Sequence, residues 1–167
     1  MELKLSANPA VARWRKFVLK EAFLETVETK LETIQYVNTT INASVRYASD
    51  YRHFHKTDFW ATAETTLAEG GDCEDFALLK STTLDWLGWP VFRKHLLIGV
   101  LHREPPRLDE AHAVLIIEFE NDPTHWVMDS IGDTLIPLSE FKFTPLHAVD
   151  SQTGLRLFLK TRKRRHN

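Results

Sequence analysis

The stretch "EGGDCEDFALLK", residues 69–80, contains the only cysteine of the chain and predicts the local structure in which that cysteine lies. Apolar positions after Asp72 recur every three to four residues, which is typical of an amphipathic helix, and "LGWP" then ends that helix. Cys73 is therefore predicted in the first turn of a helix. Asp72, Glu74 and Asp75 surround it, and their negative potential opposes formation of a thiolate. The sequence thus raises the question of what offsets these charges.

A cysteine at a helix N-terminus is well placed for nucleophilic catalysis. The partial positive charge there and the free backbone N–H groups favour a thiolate, and the same N–H groups can hold an oxyanion. Gly70 and Gly71 precede Cys73, which predicts that a substrate backbone can approach closely. The alternative interpretation is a small, buried, unreactive cysteine. The choice depends on whether the chain also supplies a base and an orienting acid.

The composition is that of one globular domain. The chain has 167 residues, of which 43% are hydrophobic and 26% are charged, so residues 1–167 are predicted to form a single domain. The formal net charge of −2 gives no field that predicts nucleic-acid binding. No apolar run reaches the roughly 18 residues that suggest a membrane span. The basic end "KTRKRRHN" is predicted to be a disordered tail from about residue 160.

The hydrophobic pattern changes from helical to strand-like along the chain. One amphipathic helix is predicted over residues 8–30 and another from about Thr33 to Ala48, followed by a polar loop over residues 49–62. Beyond the cysteine helix, short apolar runs bounded by turn-forming residues predict strands. These runs are "VFRKHLLIGVLH", "HAVLIIEF", "HWVMDS" and, as a further candidate, "LRLFLK". The fold class is therefore α+β, with helices packed on one face of an antiparallel sheet.

Two residues in the predicted strands can complete a catalytic site with Cys73. His112 heads the strand "HAVLIIEF", and Asp129 stands inside the otherwise apolar strand "HWVMDS". The spacing between them suits two adjacent strands and a turn, which would let the carboxylate hold one ring nitrogen while the other faces the thiol. The alternatives are a strand-end histidine bound to backbone and a turn-capping carboxylate.

Other uses of the same residue types are weaker. His125 is the nearest rival as base, but it shares its segment with Asp129 and has no obvious orienting carboxylate of its own. Structural zinc normally needs four ligands, with paired cysteines or a His-x-x-x-His element, and the sequence contains neither. Zinc is therefore disfavoured.

Together, "GGDCEDFALLK", "LGWP", "HAVLII" and "WVMDS" resemble the bacterial transglutaminase-like cysteine proteinases of the LapG type. The resemblance implies a papain-like, transglutaminase-type fold. It also implies Cys73 as nucleophile, His112 as general base and then acid, and Asp129 as orienting carboxylate. The Cys73 N–H is the natural oxyanion donor, and Asn38 is the candidate for a second donor.

The resemblance further suggests why carboxylates surround the cysteine. Asp72 and Glu74 are the candidate side-chain ligands of a calcium ion that would neutralise the cluster, with further oxygens from Asp75 or the loop containing Asp58. The competing interpretation is that Asp72 caps the helix and that Glu74 and Asp75 interact favourably with the positive end of the helix dipole. The sequence is compatible with both the calcium-binding and the helix-capping interpretation.

The resemblance also implies partners and a compartment. The expected substrate is a protein, namely a large cell-surface adhesin cut in biofilm control, and the expected regulator is the periplasmic domain of a cyclic-di-GMP receptor. The first residues lack the pattern of a secretory signal peptide, so we expect the periplasm if a leader has been removed and the cytoplasm if the chain is complete as written. A transglutaminase or amidase on the same fold, and a non-catalytic binding module, are the alternatives to an endopeptidase.

Overall fold

The computed structural model describes residues 30–49, 60–87 and 93–150, together with the helical residues Pro9, Ala12 and Trp14 and the backbone of Arg156–Leu157. Most of the predicted N-terminal helix, of the polar loop and of the strand "LRLFLK", and the whole basic tail, lie outside the described residues.

Three helices are described. Helix α1 spans Lys30–Ser44, α2 spans Ala63–Glu69 and α3 spans Cys73–Trp86. The two predicted helices in this part of the chain are confirmed, α1 with its bounds shifted by about one turn. The short helix α2 was not predicted, and its N-cap Thr62 accepts a hydrogen bond from the Thr65 N–H.

In the described part of the chain, six antiparallel strands form one sheet in the order β4-β3-β2-β1-β5-β6. Their bounds are Arg93–Leu101, Glu110–Phe119, Asp122–Met128, Ile136–Pro137, Phe143–Asp150 and Arg156–Leu157 for β1 to β6. The three main predicted strands are confirmed as β1, β2 and β3, and the α+β class is confirmed with them. One detail was wrong: Asp129 lies directly after β3 and not inside it, because the strand ends at Met128.

Strand β5 was missed because its sequence contains a proline. Pro145 lies opposite Gly99 of β1, and the register shifts there, so that Leu146 is the extra residue of a bulge. A bulge is one of the few places where a sheet accepts proline, since no ladder hydrogen bond is lost. Leu146 is accordingly 54% exposed.

Both faces of the sheet are covered. The helices pack on one face through a core whose fully buried members include Ile34, Ile41, Leu79, Leu84 and Leu115. On the other face Leu97, Val114, Ile116, Val127 and Ala148 are covered by side chains of the segment 136–143. Fully burying each large side chain contributes about 1.5–3 kcal/mol. Within the described residues, no helix has the length and hydropathy needed to cross a membrane.

Candidate active site

The N-terminus of α3 presents Cys73 at a junction where the chain that leaves α1 meets the chain that leads into α3. Asp72 is the N-cap of the helix. Just before it, Gly71 forms a parallel bridge with Tyr47, in which the Ala48 N–H donates to the Gly71 carbonyl at 2.8 Å. The chain that leaves α1 is therefore fastened to the residues that lead into the cysteine.

The two glycines before Cys73 serve this junction. Gly70 has φ +88°, and a Cβ there would lie 2.3 Å from the Arg46 carbonyl oxygen. A Cβ on Gly71 would lie 2.6 Å from Oδ2 of Asp75. Both positions thus require glycine for close packing inside the protein. The predicted purpose, approach of a substrate backbone, is not needed to explain them.

Asp75 fixes the loop from inside the fold. It is 1% exposed, its Oδ1 accepts from the Ala61 N–H at 2.7 Å, and its Oδ2 accepts from the Asp72 N–H at 3.2 Å. The two oxygens therefore hold two backbone N–H groups that precede the cysteine, one before α2 and one at the N-cap of α3. This contact explains Asp75 without a metal ion.

Replacing Asp75 with asparagine should loosen this junction. The amide keeps one acceptor oxygen but turns its NH₂ toward the other buried N–H, so we expect the free energy of unfolding to fall by about 1–3 kcal/mol. Urea denaturation measures the change. The exposed acid Glu64 in α2 supplies the matched control, because Glu64→Gln should change stability by less than about 0.5 kcal/mol. Equal stabilities of the two variants would contradict the assigned role of Asp75.

His112 and Asp129 form a buried pair across the sheet. Nε2 of His112 lies 2.6 Å from Oδ1 of Asp129, and the two residues are 4% and 8% exposed. Burial by itself would raise the pKa of Asp129, but the hydrogen bond and charge of His112, with the Ile131 N–H and Lys80, keep it below its ordinary value. Asp129 is therefore a carboxylate at neutral pH, and it orients the imidazole.

The sulfur of Cys73 lies beside the same strand. The thiol of Cys73 donates to Oε2 of Glu74 at 3.1 Å, and α3 packs against β2, the strand of His112. Burial raises the pKa of Cys73 well above its ordinary value, the Glu74 carboxylate raises it further, and the Ala113 N–H acts in the opposite direction. In this arrangement the sulfur is a neutral thiol held by Glu74.

Oxygen and sulfur atoms of Asp72, Cys73 and Glu74 lie within 4.8 Å of one another. The two carboxylates suit a hard cation such as calcium, which prefers oxygen ligands and takes six to eight of them. The negative potential also reaches Tyr47: burial raises the pKa of Tyr47 to about 12, and the carboxylates of Asp72 and Glu74 add to this shift. Asp58, the other suggested ligand, lies outside the described residues.

A set of polar side chains that the sequence did not point to holds the loop after β3. Asn42 donates to the Asp129 carbonyl at 2.9 Å, and Lys80 donates to the same oxygen at 2.8 Å. Gln35 accepts from the Leu135 N–H at 2.9 Å. The acceptors are mostly main-chain carbonyls far along the chain, which leave no pattern in the sequence.

Asn38, which the sequence analysis named as a candidate oxyanion donor, also holds this loop. It is fully buried, and its Nδ2 donates to the carbonyls of Gly132 at 3.2 Å and Asp133 at 2.8 Å. Both amide hydrogens are thus used within the protein. These hydrogen bonds would compete with donation to an oxyanion, and the oxyanion role of Asn38 stays a prediction.

His125 has an acid partner, contrary to the expectation from sequence. Its Nε2 lies 3.0 Å from Oε1 of Glu118, and its side chain is 50% exposed. Glu118 lies six residues along β2 from His112, which corresponds to about 20 Å of extended strand. This pair therefore lies far from the end of the strand that meets Cys73.

The fold and the site together define a class. A helix that begins at a cysteine and packs against an antiparallel sheet bearing a buried His–Asp pair is the arrangement of papain-like and transglutaminase-like cysteine peptidases. The chain belongs to the family of bacterial transglutaminase-like cysteine proteinases, BTLCP, whose family model matches residues 15–156. It is a cysteine peptidase by this membership.

Solved structures share the fold. An EGTA-treated LapG from Legionella pneumophila is 20% identical, with a TM-score of 0.72 over 94% of this chain and 81% of that one. A calcium-bound LapG from the same organism is 21% identical, with a TM-score of 0.65 over 82% of this chain and 72% of that one. The chain matches none of the curated proteins with which it was compared.

Proposed function

We propose that this protein is a cysteine endopeptidase that acts through a triad of Cys73, His112 and Asp129. The observation that carries the proposal is the buried 2.6 Å hydrogen bond between His112 and Asp129, because His112 lies on β2, the strand against which the cysteine helix packs. Because Nε2 of the imidazole is held by Asp129, Nδ1 is the nitrogen left to exchange a proton with the thiol.

The proposed reaction proceeds in two halves. Nδ1 of His112 takes the proton of the thiol, and the thiolate attacks the peptide carbonyl carbon while the Cys73 N–H stabilises the oxyanion. The C–N bond then breaks, and the amine leaves with the proton from His112. Water, deprotonated by His112, hydrolyses the thioester and releases the carboxylic acid, which restores the thiol.

We propose that calcium binds at Asp72 and Glu74. The two carboxylates fit a hard cation, and the fold is shared with a LapG that has been solved with calcium bound. When bound, calcium would supply positive charge that neutralises the acids next to the thiol. In the structure, Glu74 accepts the hydrogen bond of the Cys73 thiol. If the oxygens of Glu74 bound calcium instead, the thiol could donate its proton to His112.

The proposed substrate is a protein, in particular a large cell-surface adhesin whose release controls biofilm. The proposed regulator is the periplasmic domain of a cyclic-di-GMP receptor, and the proposed compartment is the periplasm. The resemblance of the motif around Cys73 to the LapG type supports these assignments. If a large adhesin is encoded by a neighbouring gene, a fragment of that adhesin should be cut by this protein at a single site. The cleavage would be visible as two product bands on a denaturing gel.

The reaction class can be tested with p-nitrophenyl acetate, an activated ester that needs no knowledge of the natural substrate. We expect a burst of p-nitrophenolate of one equivalent per protein and an acetyl group on Cys73 by mass spectrometry. Protein without the burst, but with a folded circular dichroism spectrum, would favour the non-catalytic binding module.

The transferase alternative requires a separate experiment. Casein and a fluorescent primary amine would be incubated with the protein, since a transglutaminase couples the amine to glutamine side chains. A peptidase should leave the casein unlabelled. Labelled casein would assign the same triad to side-chain amides and would overturn the endopeptidase proposal.

A further inference from the structure

The main-chain carbonyl of Asp129 is the meeting point of two helices. Lys80 of α3 donates to it from Nζ at 2.8 Å, and Asn42 of α1 donates to it from Nδ2 at 2.9 Å. The side chain of the same residue points to His112. Any rotation of the backbone at Asp129 would therefore move the carboxylate away from the imidazole.

Lys80 is an unexpected residue for the place that it occupies. It is fully buried, with its Nζ 5.8 Å from the centre of the Phe76 ring. Taking an ammonium out of water is costly, and an apolar side chain of similar volume is often neutral or stabilising at such a position. Burial lowers the pKa of Lys80 to about 7, while the carboxylates of Asp129 and Asp133 oppose this shift. Stability of the fold alone thus gives little reason for a lysine here.

We propose that Lys80 is a positioning residue for catalysis, which holds the main chain of Asp129 so that its carboxylate faces His112. This inference rests on the proposed triad, since it acts through Asp129. It goes beyond the triad in assigning a role to a side chain at the third turn of the cysteine helix. One helix then carries the nucleophile at its start and holds the acid from its interior.

The chain offers a matched control in Lys94. This second buried lysine is 5% exposed and contacts the same helix, where it donates to the Ser81 carbonyl at 3.1 Å and pairs with Asp85. Neither of these partners belongs to the loop after β3. Lys80→Met and Lys94→Met therefore remove the same charged group from the same layer of the protein, but only Lys80→Met releases the Asp129 carbonyl.

The experiment compares the two variants in p-nitrophenyl acetate hydrolysis, with thermal unfolding in parallel. Lys80→Met should lower kcat by about 10- to 100-fold with KM within about twofold, because a displaced catalytic group costs rate more than binding. Its Tm should be unchanged or higher. Lys94→Met should keep kcat within about twofold. The low-field proton resonance of the His112–Asp129 hydrogen bond should be lost only in Lys80→Met.

Unchanged kcat per folded Lys80→Met protein, whatever its Tm, would overturn the inference. Should this variant not fold, Asn42→Ala removes the other donor to the same carbonyl and should lower kcat in the same way; unchanged kcat would again overturn the role of that carbonyl. Asp129→Asn distinguishes failure of the Lys80 proposal from failure of the proposed triad. An inactive Asp129→Asn beside an active Lys80→Met sinks only the role of Lys80, whereas an active Asp129→Asn sinks the triad and the inference with it.

Discussion

Cys73→Ala, His112→Ala and Asp129→Asn should each lower kcat/KM for p-nitrophenyl acetate by at least about 10³-fold, with Cys73→Ala showing no burst at all. The three residues act as a unit, so losing one removes most of what the triad provides. Without Cys73 no thioester forms. Without His112 the proton of the thiol has no acceptor, and without the Asp129 carboxylate the imidazole is neither oriented nor stabilised when charged.

Burst kinetics and steady-state rates measure these effects, and circular dichroism checks that each variant folds. His125→Ala is the matched control, because it removes a histidine that also has a carboxylate partner but lies on β3, next to the end of β2 that is far from His112. Its rate should stay within about twofold of wild type, as expected for a surface substitution away from the site. A near-normal rate for His112→Ala, together with loss of activity in His125→Ala, would show that the base has been assigned to the wrong residue.

Removing calcium should have the second large effect. Chelator-treated protein should lose activity and regain it on addition of calcium, and calorimetric titration should detect binding. Asp72→Ala and Glu74→Ala should lose both binding and activity, whereas Cys73→Ala should still bind the ion, because calcium prefers oxygen to sulfur. At 100 times its Kd, calcium should stabilise the fold by about 2.7 kcal/mol.

Thermal unfolding provides a readout that is independent of activity. The Tm of wild type and of Cys73→Ala should rise with calcium, while the Tm of Asp72→Ala and Glu74→Ala should not respond. Glu64→Ala, which removes an exposed acid from the neighbouring helix, should respond like wild type. Full activity in excess chelator would leave Asp72 and its neighbours only the role of capping the helix.

The residues proposed as nucleophile, base and acid could be selected from the sequence because each stands out against its surroundings. Cys73 lies at the start of an amphipathic pattern, and His112 and Asp129 are polar residues beside apolar runs. The structure brings His112 and Asp129 into contact and packs the strand of His112 against the helix that begins at Cys73.

The supporting residues could not be predicted in the same way. Asn38 and Lys80 donate to carbonyls that are 94 and 49 residues further along the chain, and a carbonyl carries no side-chain signature. Gly70 is required by the Arg46 carbonyl, which is equally invisible in sequence. The sequence pattern thus suggests which residues could react, whereas their positions depend on long-range main-chain contacts that leave no such pattern.

The rate at which iodoacetamide alkylates the native protein in the presence of calcium shows whether Cys73 is an activated nucleophile. The chain has one cysteine, so intact mass reports on Cys73 alone. If Cys73 is a nucleophile activated by His112, alkylation should be rapid in wild type and at least about tenfold slower in folded His112→Ala, because the thiolate is the reactive form. Equal, slow alkylation of both proteins would contradict the account and leave Cys73 a buried, unreactive thiol.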